Sequence, residues 1–235
     1  EPDVALELIA LPRSVSLRPG RATSVWSYQS RVLKGDPVSV QALPDSYLGP
    51  ILRLRRGQKV RIDFINRLDQ PSTVHWHGLH VPDTMDGHPR FAIGRGERYR
   101  YEFEVRNRAG TYWYHPHPHG HTGEQVYFGL AGLLLVSDEE EQALPLPRGQ
   151  YDLPIVIQDR SFDDGNQLRY LSGTGPTARG DASGAPSAPG NTMGGGGMMG
   201  GMMSRGAMMS GGMGDMMTRM MGFLGDTILV NGRPD

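Results

Sequence analysis

The chain has 235 residues, with 24 Lys and Arg against 25 Asp and Glu and a formal net charge of −1. That balance excludes a nucleic-acid tract or a polybasic membrane anchor, and no apolar run approaches the ~18 residues of a membrane span. Cysteine is absent, which excludes disulfides, thiolate zinc sites, iron–sulfur clusters, a cysteine nucleophile and any blue copper centre built from this chain alone. The length accommodates one large domain or one and a half ordinary ones. Glu1 is not a translation start, so a leader is expected to precede it, an export signal in the first place.

In chain order, residues 5–141 read as β. Short runs at Leu6–Ile9, Ala22–Tyr28, Ile51–Arg55, Lys59–Ile65, Arg98–Val105 and Gly129–Val136 are separated by Pro, Gly, Asn and Asp. Val60–Phe64 and Tyr99–Val105 alternate apolar and polar residues, the period of a half-buried antiparallel strand. No segment here carries a helical period. Many short strands with frequent turns predict a Greek-key β-sandwich or barrel. Asp138–Gly149, an acidic run followed by Leu-Pro-Leu-Pro, reads as a boundary. Tyr151–Arg160 then reads as a new strand, with Gln167–Leu171 as its hairpin partner. Residues 172–214 are Gly, Ser, Ala, Pro and Met, too poor in apolar surface to offset their ordering entropy. Order is expected again near Asp226, with a strand over Thr227–Asn231. One domain over 1–145 is expected, and the start of a second over 146–235, interrupted by an insertion at about 172–225.

All eight histidines lie between residues 75 and 121, and six of them fall in His75-Trp76-His77-Gly78 and His115-Pro116-His117-Pro118-His119-Gly120-His121. Residues two apart on a strand face the same side, so His75 with His77, and His115 with His117, each present a pair of imidazoles in one direction. Two such pairs on neighbouring strand ends predict one metal site. Gly78 and Gly120 permit close backbone approach, and Pro116 and Pro118 suit a strand end or loop. Imidazole suits copper, zinc, iron and nickel alike, so spacing does not choose the metal.

These residues resemble the multicopper oxidases: laccases, cuprous oxidases and their relatives. The resemblance rests on Thr73-Val74-His75-Trp76-His77-Gly78-Leu79, Gly110-Thr111-Tyr112-Trp113-Tyr114-His115-Pro116-His117 and Gly129-Leu130-Ala131-Gly132. Leu48-Gly49-Pro50, Arg56-Gly57 and the strand Lys59–Asn66 extend it, and it is strong over about residues 45–137. It implies an all-β, cupredoxin-like fold and a trinuclear copper cluster held by eight histidines, four from the first domain and four from the last. Carried over by position, His75 is expected on the type 2 copper and His77, His115 and His117 on the type 3 pair. His119 and His121 fall outside the matched motif and are expected to support the ligands or lie exposed. His80 and His88 are expected as polar loop residues. Asp86, in Met85-Asp86-Gly87, matches a carboxylate thought to feed protons to oxygen reduction in the bacterial copper-efflux members. Trp76 and Trp113 are equally readable as walls of the cluster or as plain core aromatics. Glu124 and Gln125 follow the second histidine group, where a hydrogen-bonding role is conceivable.

Twelve of thirteen methionines lie between Met193 and Met221. Met198, Met199, Met202 and Met203 repeat at a spacing of four, as do Met216, Met217, Met220 and Met221, which would align thioethers on one side of a helix. Thioether sulfur selects Cu(I), and these eight are candidate Cu(I) ligands; an adaptable hydrophobic linker is the plainer reading.

The resemblance implies a complete enzyme that couples one-electron oxidation of Cu(I), phenols or aromatic amines to four-electron reduction of O2 to water. The type 1 Cys and the other four histidines are expected from a C-terminal remainder, without which this chain is expected to be inactive. Export to the periplasm or cell exterior is expected. A non-catalytic copper-binding or storage protein, and a cupredoxin-like interaction protein, are the alternatives.

Overall fold

A computed structural model describes residues 1–171, 173–174 and 222–234. The strands in chain order are β1 (Val4–Val15), β2 (Thr23–Lys34), β3 (Val40–Gln41), β4 (Ile51–Arg55), β5 (Lys59–Asn66), β6 (His75–His77), β7 (Arg98–Glu104) and β8 (Gly110–His115). The short helix α1 (Thr122–Tyr127), β9 (Gly132–Ser137) and a one-turn helix α2 (Glu139–Gln142) follow. The chain continues with β10 (Ile157–Phe162), β11 (Leu168–Tyr170), β12 (Gly173–Thr174), β13 (Thr227–Val230) and β14 (Arg233–Pro234). The fold is all-β, as expected.

The strands form three sheets, in the orders β2-β1-β5-β7, β3-β4-β9-β8-β6 and β12-β11-β10-β13-β14. In the first sheet β1 runs parallel to β5, and in the second β4 runs parallel to β9, while their other neighbours are antiparallel. Both sheets therefore join strands far apart in sequence. β5 shows why they close on each other: Val60, Ile62 and Phe64 are buried, whereas Lys59 is exposed and Arg61 and Asp63 are half-buried. Each inward side chain contributes roughly 1.5–3 kcal/mol by leaving water. The core also takes in Leu6 and Leu8 of β1, Leu52 and Leu54 of β4 and Leu134 of β9.

The third sheet packs on the same core through Leu168 and Leu229. Polar contacts add to this: Thr23 Oγ1 donates to the Asn166 carbonyl at 2.7 Å, and the Ser161 amide donates to Tyr127 Oη at 2.9 Å.

Four local readings change. Residues 149–151 form a 3-10 turn and the strand starts only at Ile157; Pro154 supplies no ladder donor. β12 lies inside the stretch assigned to the insertion. The acidic run is partly structural, since Asp138 caps α2 through Glu141 N and also accepts from Ala109 N. Those backbone bonds hold the Asp138 carboxyl below its usual range. Finally, α1 breaks the all-strand reading of 5–141; six residues are too few to print a helical period.

Candidate metal centre

β6 and β8 are antiparallel, with His75 opposite His115, Trp76 opposite Tyr114 and His77 opposite Trp113. Strand alternation then separates two faces. Trp76 and Tyr114 point into the core and are fully buried, while His75, His77, Trp113 and His115 share the other face. Ligand nitrogens of His75, His77 and His115 all lie within 4.8 Å of one another. The His117 ring is 5.6 Å from that of His75 and 6.0 Å from that of His115, centroid to centroid. Both His-X-His pairs thus converge on one place at the edge strand of the second sheet.

Hydrogen bonds orient the rings. His75 Nδ1 lies 2.8 Å from the Asp86 carbonyl, and His115 Nδ1 lies 2.8 Å from the Pro116 carbonyl. A carbonyl only accepts, so each Nδ1 carries the proton and each Nε2 presents its lone pair on the other side of the ring. His77 Nδ1 is 3.1 Å from His115 Nε2; with His115 Nε2 as the acceptor, His77 donates. Burial, aided by the neighbouring His75, His77 and His117 and opposed by the Pro116 bond, pulls His115 down from 6.5 to about 4. Its imidazole is therefore neutral at pH 7, the form that binds metal. Three imidazoles whose ligand nitrogens gather within 4.8 Å fit copper.

The aromatic ambiguity is settled by position. Trp76 packs on Tyr101 at 5.3 Å and Phe103 at 5.5 Å, and its Nε1 donates to the Met85 carbonyl. It is a core residue. Trp113 stacks on His115 at 4.1 Å with planes 28° apart, and on His77 at 5.0 Å. It walls the site.

Asp86 approaches from the side of His75 away from its free nitrogen. Its carboxylate Oδ1 is 3.0 Å from His75 Nδ1, but the carbonyl is the aligned acceptor, and Oδ1 is buried with no other partner. Gly87 permits this approach: its φ is +70°, and a Cβ there would lie 2.1 Å from the Val74 carbonyl oxygen.

The remaining histidines stand apart from the cluster. His80 and His119 are exposed. His88 Nε2 pairs with Asp83 at 3.1 Å, and His121 Nδ1 with Glu124 at 3.3 Å. Glu124 also accepts from Gln70 Nε2 at 3.2 Å, and Gln125 is buried in a hydrogen-bonded network. The eight candidate methionines lie outside the described residues.

Sequence reading missed Thr73, whose Oγ1 accepts the His117 amide at 2.9 Å, and Tyr101, whose Oη accepts the Val74 amide at 2.9 Å. It also missed Asn107, which donates to the Gly78 carbonyl and accepts from His80 N. Thr73 stands within the Thr73–Leu79 motif, a signal that was available; nothing local marks Tyr101 or Asn107.

A family model for multicopper oxidases matches residues 25–141. The chain is 43% identical over 129 residues to the multicopper oxidase mco of Staphylococcus aureus, a match covering 55% of this chain and 29% of that protein. It is 34% identical over 157 residues to the cell division protein FtsP of Escherichia coli, covering 66% of this chain and 30% of that protein. The crystal structure of the McoA multicopper oxidase from Aquifex aeolicus superposes with a TM-score of 0.67 at 34% identity, covering 100% of this chain and 40% of that one. A laccase from Pediococcus acidilactici gives 0.65 at 26% identity, with the same coverage. The chain therefore spans less than half the length of these relatives. Paired His-X-His strands at one sheet edge, a cupredoxin-like sheet order and these likenesses together place the chain, through residues 25–141, in the multicopper oxidase family.

Proposed function

We propose that this chain is the N-terminal portion of a multicopper oxidase and contributes half of a trinuclear copper site. The convergence of His75, His77 and His115 nitrogens within 4.8 Å carries this reading. In it, His75 holds the type 2 copper and His77, His115 and His117 the type 3 pair. Residues 1–145 are the first cupredoxin domain and 146–235 the start of the second. Bound copper supplies one-electron acceptors that together reduce O2 to water.

The chain's own contribution is binding, orientation and shielding. The Asp86 and Pro116 carbonyls fix two ring tautomers, as hydrogen bonds behind metal ligands generally do. Trp113 excludes water from one side. The Asp86 carboxylate, half-buried beside His75 with its Oδ1 shielded, passes protons toward the site. Four further histidines and the type 1 Cys come from a C-terminal remainder, with export to the periplasm or cell exterior. The reducing substrate is Cu(I), recruited by the Met tract, or else a phenol or aromatic amine.

The test is to express the chain alone and together with a C-terminal piece carrying a His-Cys-His motif, then measure bound copper and O2 consumption. Copper binding by the chain alone, with O2 consumption only in the reconstituted pair, is expected. A chain that binds no copper, or consumes O2 alone, overturns the reading. The likeness to a cell division protein, FtsP, favours a second reading as a cupredoxin-like interaction protein; absence of copper from both preparations supports it.

A further inference from the structure

Two histidine motifs 38 residues apart have to meet with their rings aligned, yet β6 and β8 pair only from His75 to His77 against Trp113 to His115. His117 lies beyond the last pair. Ladder hydrogen bonds do not set its position.

We propose that Gln125 and Thr73 form a latch that fixes His117 against His75. The inference rests on reading these histidines as metal ligands. Gln125, Ser72 and Thr73 are each 0% exposed, so their polar atoms need partners. Gln125 Nε2 donates to the Pro71 carbonyl at 2.9 Å and to Gln70 Oε1 at 3.2 Å, and Gln125 Oε1 accepts from Ser72 Oγ at 2.8 Å. Pro71 offers only an acceptor there, which fixes which end of the amide is which. One side chain on α1 thus grips three consecutive residues, Gln70 to Ser72, just upstream of Thr73, Val74 and β6.

The other side of the latch is stiff. Thr122 Oγ1 donates to the Pro118 carbonyl at 3.0 Å, and the Gln125 amide donates to the His121 carbonyl at 2.9 Å. These bonds close the turn between His117 and Gln125. At its near end the His117 amide donates to Thr73 Oγ1 at 2.9 Å. Thr73 is two residues before His75, so the bond ties the backbone of one motif to the approach of the other. A merely structural network would need Gln125 bonded somewhere. This one bonds it to the segment that aims His75, and bonds His117 to the same segment. Gln125 and Thr73 are positioning residues; neither touches the metal.

The test uses the 235-residue chain with Thr73→Val, which keeps shape and loses the acceptor, Thr73→Ser, which keeps the acceptor, and Gln125→Leu. Two measurements are made: hydrogen exchange of the His117 amide in metal-free protein, and copper(II) binding with nitrogen hyperfine structure by electron paramagnetic resonance. Thr73→Val is expected to speed His117 exchange about five- to tenfold, the worth of one hydrogen bond. It is expected to weaken copper(II) binding about 10- to 100-fold, as losses behind ligands do. Thr73→Ser restores both, and Gln125→Leu shifts both in the same direction as Thr73→Val. Wild-type exchange and affinity in Thr73→Val, or a Thr73→Ser as impaired as Thr73→Val, overturns the latch. Should Gln125→Leu fail to fold, the Thr73 pair decides alone. A wild-type chain that binds no copper(II) removes the metal reading, while metal-free exchange still decides the latch.

Discussion

His77 Nδ1 and His115 Nε2 face each other at 3.1 Å across β6 and β8, one imidazole donating to the other. His115 spends its own Nδ1 proton on the Pro116 carbonyl, so its second nitrogen has only an acceptor's role to play. A metal at that nitrogen would compete with the His77 proton for the same lone pair.

The first consequence concerns pH. His115 is depressed from 6.5 to about 4 in the folded chain, chiefly by burial. Between those values the unfolded chain binds a proton that the folded chain refuses, so stability falls as pH drops from about 6.5 and the loss levels off below about 4. The loss is at most ~3 kcal/mol at ~1.4 kcal/mol per unit. Urea midpoints of the metal-free chain across this window check it, and His115→Gln should flatten the curve.

The two tryptophans of the site region should separate cleanly. Trp76 is a fully buried core ring, and Trp76→Ala is expected to cost about 3–5 kcal/mol. Trp113 is only partly buried and stacks on His115 and His77. Trp113→Ala should cost much less stability and weaken copper retention under dialysis against a chelator. Chemical denaturation and metal analysis of both variants check the contrast; a reversed order would refute it.

For Asp86 the backbone and the side chain do different things. The carbonyl that orients His75 survives in Asp86→Asn, whereas the ionisable carboxylate beside it does not. Copper content of the reconstituted oxidase should be unchanged and its single-turnover reoxidation by O2 slowed, on the order of 10²-fold for loss of a proton-delivering group. Unchanged reoxidation would sink the proton role.

Gly87 tests how firmly the loop must lie on β6. A Cβ there meets the Val74 carbonyl oxygen at 2.1 Å, at a φ of +70°. Gly87→Ala should destabilise the chain by at least ~2 kcal/mol, combining a left-handed alanine with a backbone clash. It should also release Asp86 from His75, visible as a shifted His75 Nδ1 proton resonance.

Deletion of residues 193–221 from the reconstituted oxidase is expected to lower cuprous oxidation more than oxidation of a bulky phenol. Parallel rates of the two substrates, with and without the tract, check it; equal losses would count against Cu(I) recruitment.

Much of this was legible in the chain alone. The alternation Val60, Ile62, Phe64 announced a half-buried strand because strand period is a local property of the backbone. His75 with His77, and His115 with His117, announced paired imidazoles for the same reason: residues two apart on a strand need no tertiary information to share a face. What the sequence could not say is which strands become neighbours. β1 lies parallel to β5, and His75 comes opposite His115, because buried faces distant in sequence find each other only when the core closes. The same closure sent Trp76 inward and Trp113 onto the imidazoles. It also gave Gln125, which the sequence marked only as a hydrogen-bonding candidate after a histidine run, its partners Gln70, Pro71 and Ser72. Local spacing determined which side chains can carry the chemistry; packing of distant segments decided their tautomers, their burial and what holds them in place.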